Sequence, residues 1–97
     1  METTKETFDM SASTMKKIAE ESVKNKTEKV KDLICKEIFH KSLDGFFSYT
    51  ISGDVGKLFL ELPYNSSEEI KSFFRKHGYQ VEYTNTNMIG VSWERAK

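Results

Sequence analysis

Three side chains in this sequence, Cys35, His40 and His77, are of the types that bind metals or act as nucleophiles and bases. Zinc sites normally show ligands in close pairs, such as C-x-x-C or H-x-x-x-H, and the sequence contains no such pair. Nucleophilic catalysis needs a base that a third group orients, whereas the two histidines are expected at the ends of two different helices. The sequence therefore predicts a protein that is not an enzyme, with no metal site and no cofactor.

Two further features of chemical interest lead to the same expectation. Gly53 and Gly56 flank a loop that the pattern places between two strands, without the helix N-terminus and lysine of a phosphate-binding loop. Cys35 adjoins Ile34 and is interpreted as a small, partly buried residue rather than an activated thiolate. Neither feature predicts a binding site.

Cys35 and His40 fall in the longest predicted element, one helix from Ser13 to about Lys41, with Ser13 as its N-cap. Its apolar residues follow the i, i+3, i+4, i+7 spacing of a single helical face. They are Met15, Ile18, Ala19, Val23, Val30, Leu33, Ile34 and Ile38.

A polar interruption from Lys24 to Lys29 divides this helix into two parts. Strands of five or six residues span roughly 17–20 Å, whereas a helix of roughly thirty residues reaches about 43 Å. We therefore expect residues 30–38 to lie on a sheet and residues 13–23 to project beyond it, with Met15, Ile18 and Val23 available to a partner. The alternative is a bend near Asn25 that folds the front of the helix back onto the domain.

After the Asp44-Gly45 break, the chain alternates between strand and helix patterns. Ser66 and Glu69 form a capping-box pattern at the start of the second helix, and Gly78 is suited to end it. The predicted elements are a hairpin of residues 46–51 and 57–62, a helix over residues 67–77, and a hairpin of residues 79–83 and 88–93 with a turn at residues 85–87.

These elements predict an α+β fold with the order αββαββ, in which a four-stranded antiparallel sheet carries two helices on one face. The strand order is expected to be 3-4-2-1, with residues 46–51 and 79–83 at the edges. Residues 13–97 would form a single domain behind a flexible N-terminal arm, residues 1–12. The expected core consists of Ile34, Ile38, Leu58, Leu60, Phe73, Ile89, Val91 and Trp93.

Charge and cysteine content limit the class of function. The 97 residues include 15 basic and 15 acidic side chains, so the chain lacks the overall positive field of most general nucleic-acid binders. A single cysteine permits no intramolecular disulfide, and nothing at the N-terminus resembles a signal peptide or a membrane span. A reducing cytoplasm is the expected compartment, and no association with a membrane is expected.

The C-terminal motif G-Y-x-V-x-Y…I-x-V-S-W, formed here by residues 78–83 and 89–93, follows a long helix rich in lysine and glutamate. This combination, over roughly residues 13–93, resembles small uncharacterised proteins of large-genome bacteriophages. The resemblance implies a viral accessory protein that works in the cytoplasm of an infected bacterium. It transfers no catalytic or binding residues, because the motif positions cap a helix and fill a core.

Two hypotheses of function follow. In the first, the protein is a non-enzymatic interaction module that binds a host or viral protein, or a second copy of itself, through the long helix or a sheet edge. In the second, the open face of the sheet binds single-stranded nucleic acid, with aromatic residues stacking on bases and lysines near phosphates. The residues proposed for this alternative are Phe46, Lys57, Phe59 and Tyr83.

Overall fold

The structure, a computed structural model, describes residues 10–84 and 88–96. Its elements in chain order are α1 (Ala12–Leu43), β1 (Ser48–Thr50), α2 (Gly53–Leu60), α3 (Tyr64–Lys76), β2 (Gln80–Tyr83) and β3 (Ile89–Ser92). The described residues thus form an α+β fold of three helices and a three-stranded antiparallel sheet. The predicted fold class is confirmed, but the predicted four-stranded sheet is not.

The long helix α1 is continuous from Ala12 to Leu43. It begins one residue before the predicted start because Ser11, and not Ser13, is the N-cap, and the Thr14 amide donates to the Ser11 hydroxyl oxygen at 3.3 Å. The helix runs without a break through the polar segment Lys24–Lys29, so the predicted alternative of a bend near Asn25 is wrong. Its last turn closes at Asp44, and Gly45 follows with a φ of 86°.

The sheet has the order β1-β3-β2, with β3 in the centre. Tyr49 pairs with Val91, and Val91 pairs with Val81, so these three buried residues line the face toward the helices. The two edge strands are the ones that the sequence predicts. The predicted turn at residues 85–87 lies outside the described residues.

The segment predicted as the second strand, residues 57–62, is helical instead and belongs mostly to α2. The prediction followed the alternation of Leu58, Leu60 and Leu62. The structure follows another spacing in the same segment, since Val55, Leu58, Phe59 and Leu62 stand at i, i+3, i+4 and i+7 and all face the core. Leu60, which falls between them, is 83% exposed. The order 3-4-2-1 therefore fails at its second strand, and β1 pairs directly with β3.

The helix α3 starts at Tyr64, three residues earlier than predicted. Pro63 occupies its N-cap position, and the Pro63 carbonyl accepts hydrogen bonds from the amides of Ser66 and Ser67. Ser66 is therefore a buried residue of the first turn instead of the start of a capping box. The predicted end is confirmed, because Gly78 adopts a φ of 93° directly after the helix.

The core lies between the inner face of the sheet and the three helices. Of the predicted core residues, Ile34, Ile38, Ile89 and Val91 are buried, whereas Leu58, Phe73 and Trp93 are only partly buried and Leu60 is exposed. The other buried apolar residues are Val30, Tyr49, Ile51, Phe59, Leu62, Ile70, Phe74 and Val81. Of the predicted arm, residues 1–9 lie outside the described residues, and Ala12 already belongs to α1.

Candidate functional site

The first half of α1, residues 12–26 and called here the front half, extends beyond the folded body. None of its residues is buried, and the first buried side chain of the helix is Thr27. At 1.5 Å per residue, the front half is about 22 Å long. It contributes to the 61 Å length of a molecule whose other dimensions are 26 and 22 Å. The overhang expected from the polar interruption is present.

The three residues predicted to bind a partner point in different directions around this half-helix. Ile18 is 53% exposed and lines a shallow depression with Lys17, Glu21 and Ser22. Val23 is half-buried, and it lies one turn before Thr27, whose hydroxyl donates to the Val23 carbonyl at 2.7 Å. Met15 is also half-buried. Because Ile18 and Val23 are separated by about 140° around the helix, they do not form one narrow stripe.

The two edges of the sheet differ in accessibility. At the β2 edge, the Arg75 guanidinium donates to the Val81 carbonyl at 3.1 Å, so a side chain already uses this acceptor. At the β1 edge, Ser48 and Thr50 direct their backbone groups away from β3, because Ile51 and Phe47 make the hydrogen bonds to β3 on either side. The β1 edge is the more open one, but its strand has three residues.

The outer face of the sheet is polar and lacks stacking residues. Among the described strand residues, this face carries Ser48, Thr50, Gln80, Glu82, Gly90 and Ser92. It thus presents one acidic and no basic or aromatic side chain among those residues, unlike the faces that bind single strands.

The four residues proposed for nucleic acid binding do not meet on the outer face. Lys57 and Phe59 belong to α2, where Phe59 is buried in the core. Tyr83 and Phe59 line one small depression of about 160 Å³. Lys57 and Phe59 line a neighbouring depression of about 240 Å³. Phe46 lies at the opposite end of the sheet, where its ring contacts the Lys41 ammonium.

A buried lysine lies beside the smaller depression. The Lys71 ammonium is 2.6 Å from the Glu68 carboxylate and donates to the Tyr83 hydroxyl at 3.1 Å. The hydrogen bond to Glu68 raises the pKa of Lys71, and burial, which acts in the opposite direction, does not overcome it. Lys71 is therefore a charged, paired group and not a free amine nucleophile. Sequence patterns gave no signal for this cluster, because its members come from α3 and β2.

The segment that contains Gly53 and Gly56 is a helix and not the predicted loop between two strands. A helix starts at Gly53 and contains Lys57, so the prediction that this segment lacks a helix N-terminus and a lysine is wrong. The geometry gives other roles to these residues. A Cβ at Gly56 would lie 3.4 Å from the Ile51 carbonyl oxygen, so this residue of α2 packs at van der Waals distance from the backbone that follows β1. Asp54 adds a negative charge to the first turn of α2, which disfavours a phosphate at that position.

The metal-ligand and nucleophile types remain separate in the structure. No group of three or more His, Cys, Asp or Glu side chains within residues 10–84 and 88–96 could hold a metal ion. One ring nitrogen of His77 is 2.8 Å from the Phe73 carbonyl oxygen, and His40 contacts the Phe39 ring. Cys35 is exposed and not partly buried as predicted, and desolvation of its thiol, followed by the charge on Asp32, raises the thiol pKa, which disfavours a reactive thiolate.

None of the described helices α1, α2 and α3 has both the length and the apolar character that crossing a bilayer requires.

Comparison with protein-family models, curated protein sequences and solved structures finds no match to this chain.

Proposed function

We propose that this protein is a non-enzymatic interaction module that binds a protein partner along the front half of α1. The observation that carries this proposal is a helical segment of about 22 Å in which none of the residues is buried. Isolated helices of about 12–15 residues are marginally stable in water, and most helices in proteins are stabilised by packing. A partner that covers the front half would supply that packing.

The chemistry of the front half fits a partner with an apolar groove and a charged rim. Ile18 is the exposed anchor, and burying the half of it that is exposed would contribute on the order of 1 kcal/mol. Lys17 and Glu21 flank it and can pair with charges of either sign at the rim. The open edge of β1 offers a second, shorter contact surface for the same class of partner.

The proposed partner is a host or viral protein in the cytoplasm of an infected bacterium. The support for this setting is the resemblance of the C-terminal motif and long helix to small bacteriophage proteins. The proposed role is that of an accessory protein, which acts by occupying a surface of its partner rather than by catalysis.

Affinity capture with matched variants tests the proposal. Ile18→Asp introduces a charge at the proposed anchor, and Lys24→Glu alters the charge of the same half-helix at an exposed position away from Ile18. The expected result is one bacterial or phage protein that the parent and Lys24→Glu retain and Ile18→Asp loses. Amide exchange in residues 12–26 should slow when that protein is added. Capture of the same proteins by the parent, Ile18→Asp and Lys24→Glu would contradict the proposal.

A further inference from the structure

A second surface of α1, on the side away from the body, has a regular spacing of its own. Starting at Ile18, exposed residues recur at alternating steps of four and three positions up to Leu43. These residues, called here the outer seam, are Ile18, Ser22, Asn25, Lys29, Asp32, Lys36, Phe39 and Leu43. Alternating steps of four and three are the spacing of a coiled-coil contact line, in which each step returns to one helix face.

The outer seam lies opposite the part of α1 that contacts the core. The buried residues of the helix are Thr27, Val30, Ile34 and Ile38. With 100° per residue, their mean direction differs from that of the outer seam by about 180°. Another helix can therefore lie along the outer seam without meeting the sheet, α2 or α3 of the same chain.

We propose that the outer seam binds the outer seam of a second copy of this chain in antiparallel orientation. This inference deepens the proposed function, because it uses α1 as the interaction element and names a second copy as one partner. The register places Ile18 against Leu43 of the second copy and Ser22 against its Phe39. Asn25 then faces Lys36, and Lys29 faces Asp32, with every contact made twice by the two-fold symmetry.

Charge determines the orientation of the two helices. In the antiparallel register, each Lys29 ammonium meets an Asp32 carboxylate, and each Lys36 meets an uncharged Asn25. A parallel pair in register would instead place Lys29, Asp32 and Lys36 against their own equivalents, which like-charge repulsion disfavours. Within residues 10–84 and 88–96, Lys29, Asp32 and Lys36 form no ion pair inside the single chain, so their charges are available to a second copy.

The apolar residues of the outer seam are compatible with the antiparallel orientation. They lie at its two ends, with Ile18 at one end and Phe39 and Leu43, which are 61% and 70% exposed, at the other. The antiparallel arrangement brings unlike ends together and so forms two apolar clusters. The five residues between them are polar or charged, so the dimer is a weak, salt-sensitive one.

Sedimentation equilibrium of the full chain at several protein concentrations tests the association. The parent chain should form a dimer whose Kd rises with salt. Lys29→Glu, which places two acidic groups together at each of two sites, should weaken the dimer at least about tenfold. Adding Asp32→Lys to the same chain should restore it, because the opposite charges are exchanged. Lys24→Glu, on another side of the helix, should have little effect. A parent chain that remains monomeric at about 1 mM would overturn the proposal.

Disulfide mapping tests the orientation. In a Cys35→Ser background, Asn25→Cys and Lys36→Cys place two thiols about 16 Å apart on one helix, too far for an internal bridge. Mild oxidation should link position 25 of one copy to position 36 of the other. Links between identical positions would show a parallel pair and overturn the proposed register.

Leu43→Asp separates this inference from the proposed function. The substitution should abolish the dimer, but it lies outside the front half and should leave capture of the heterologous protein intact. A monomeric parent that still captures this protein would refute only the dimer. Because the dimer would cover Ile18, the heterologous partner is tested on the Leu43→Asp monomer, and a Leu43→Asp chain that captures nothing would refute only that partner.

Discussion

The Lys71 ammonium donates a hydrogen bond to the Tyr83 hydroxyl at 3.1 Å and so joins α3 to the edge strand β2. The same ammonium is 2.6 Å from the Glu68 carboxylate and lies 5.0 Å from the centre of the Tyr83 ring. Although Lys71 is a charged residue, it is 7% exposed. A charge this deeply placed is stable because both of these partners compensate for its lost hydration.

Replacing Lys71 should therefore destabilise the protein more than replacing an exposed lysine of the same helix. Lys71→Met keeps the apolar stem but leaves the Glu68 carboxylate and the Tyr83 hydroxyl without their partner. Because Glu68 and Tyr83 are themselves exposed to water, the expected cost is about 0.5–1.5 kcal/mol in the free energy of unfolding, measured by urea denaturation. Lys76→Met is the control and should change it by less than about 0.5 kcal/mol. Equal values for the two variants would show that the cluster does not stabilise the fold.

The same cluster predicts a dependence of stability on alkaline pH. The hydrogen bond between the Lys71 ammonium and the Glu68 carboxylate raises the pKa of Lys71 above the ordinary value of 10.5. A raised pKa means that the stabilising contribution is complete below the unfolded-state pKa and is lost as the pH rises through the folded-state pKa. Urea midpoints measured above pH 10 should fall more steeply for the parent than for Lys71→Met. Parallel curves would contradict this assignment.

Removing the side chain of Arg75 should expose the β2 edge. In the parent chain, this guanidinium donates a hydrogen bond to the Val81 carbonyl oxygen, an acceptor that a strand from another molecule could otherwise use. Arg75→Ala is expected to cost roughly 0.5–1.5 kcal/mol and to increase light scattering on prolonged incubation. Lys76→Ala is a suitable control, because Lys76 is an exposed cation of the same helical turn. Equal scattering by the two variants would rule out a protective role for Arg75.

A side chain at Gly78 should strain the end of α3. Gly78 has a φ of 93°, and the next residue, Tyr79, donates its amide to the Phe74 carbonyl at 3.0 Å. A left-handed conformation of this kind costs an L-residue about 1–2 kcal/mol, so Gly78→Ala should destabilise the protein by that amount. Gly78→Asn should be milder, because asparagine tolerates this conformation. Thermal unfolding of the two variants provides the measurement, and equal losses would contradict the explanation.

Burial, rather than size, should determine the cost of truncating aromatic residues. Phe74 is 2% exposed, whereas the larger Trp93 is only partly buried at the margin of the core. Phe74→Ala should cost about 3–5 kcal/mol, and Trp93→Ala should cost less. Urea denaturation of both variants gives the comparison. A larger loss for Trp93→Ala would mean that this indole is more enclosed than the structure places it.

The amino-acid pattern alone determined the helices α1 and α3 and the two edge strands. Long periodic segments are informative because many positions agree on one period. It also placed Ile18 on a projecting half-helix, since the polar interruption and the limited span of a small sheet leave no other support for residues 13–23. The segment of residues 53–62 was too short for the same inference. Its leucines fit an alternating pattern, while Val55 and Phe59 complete a helical one, and both patterns occupy the same few residues.

Tertiary structure decided between those patterns, because only the helical one buries Phe59 and Leu62 together against the core. It also decided which side of α1 faces the body. Until Val30, Ile34 and Ile38 are known to be buried, the exposed seam opposite them cannot be distinguished from an ordinary charged helix surface. The Lys71 cluster depends on tertiary structure for a related reason. Its members come from separate elements, and only packing brings their polar atoms within hydrogen-bonding distance.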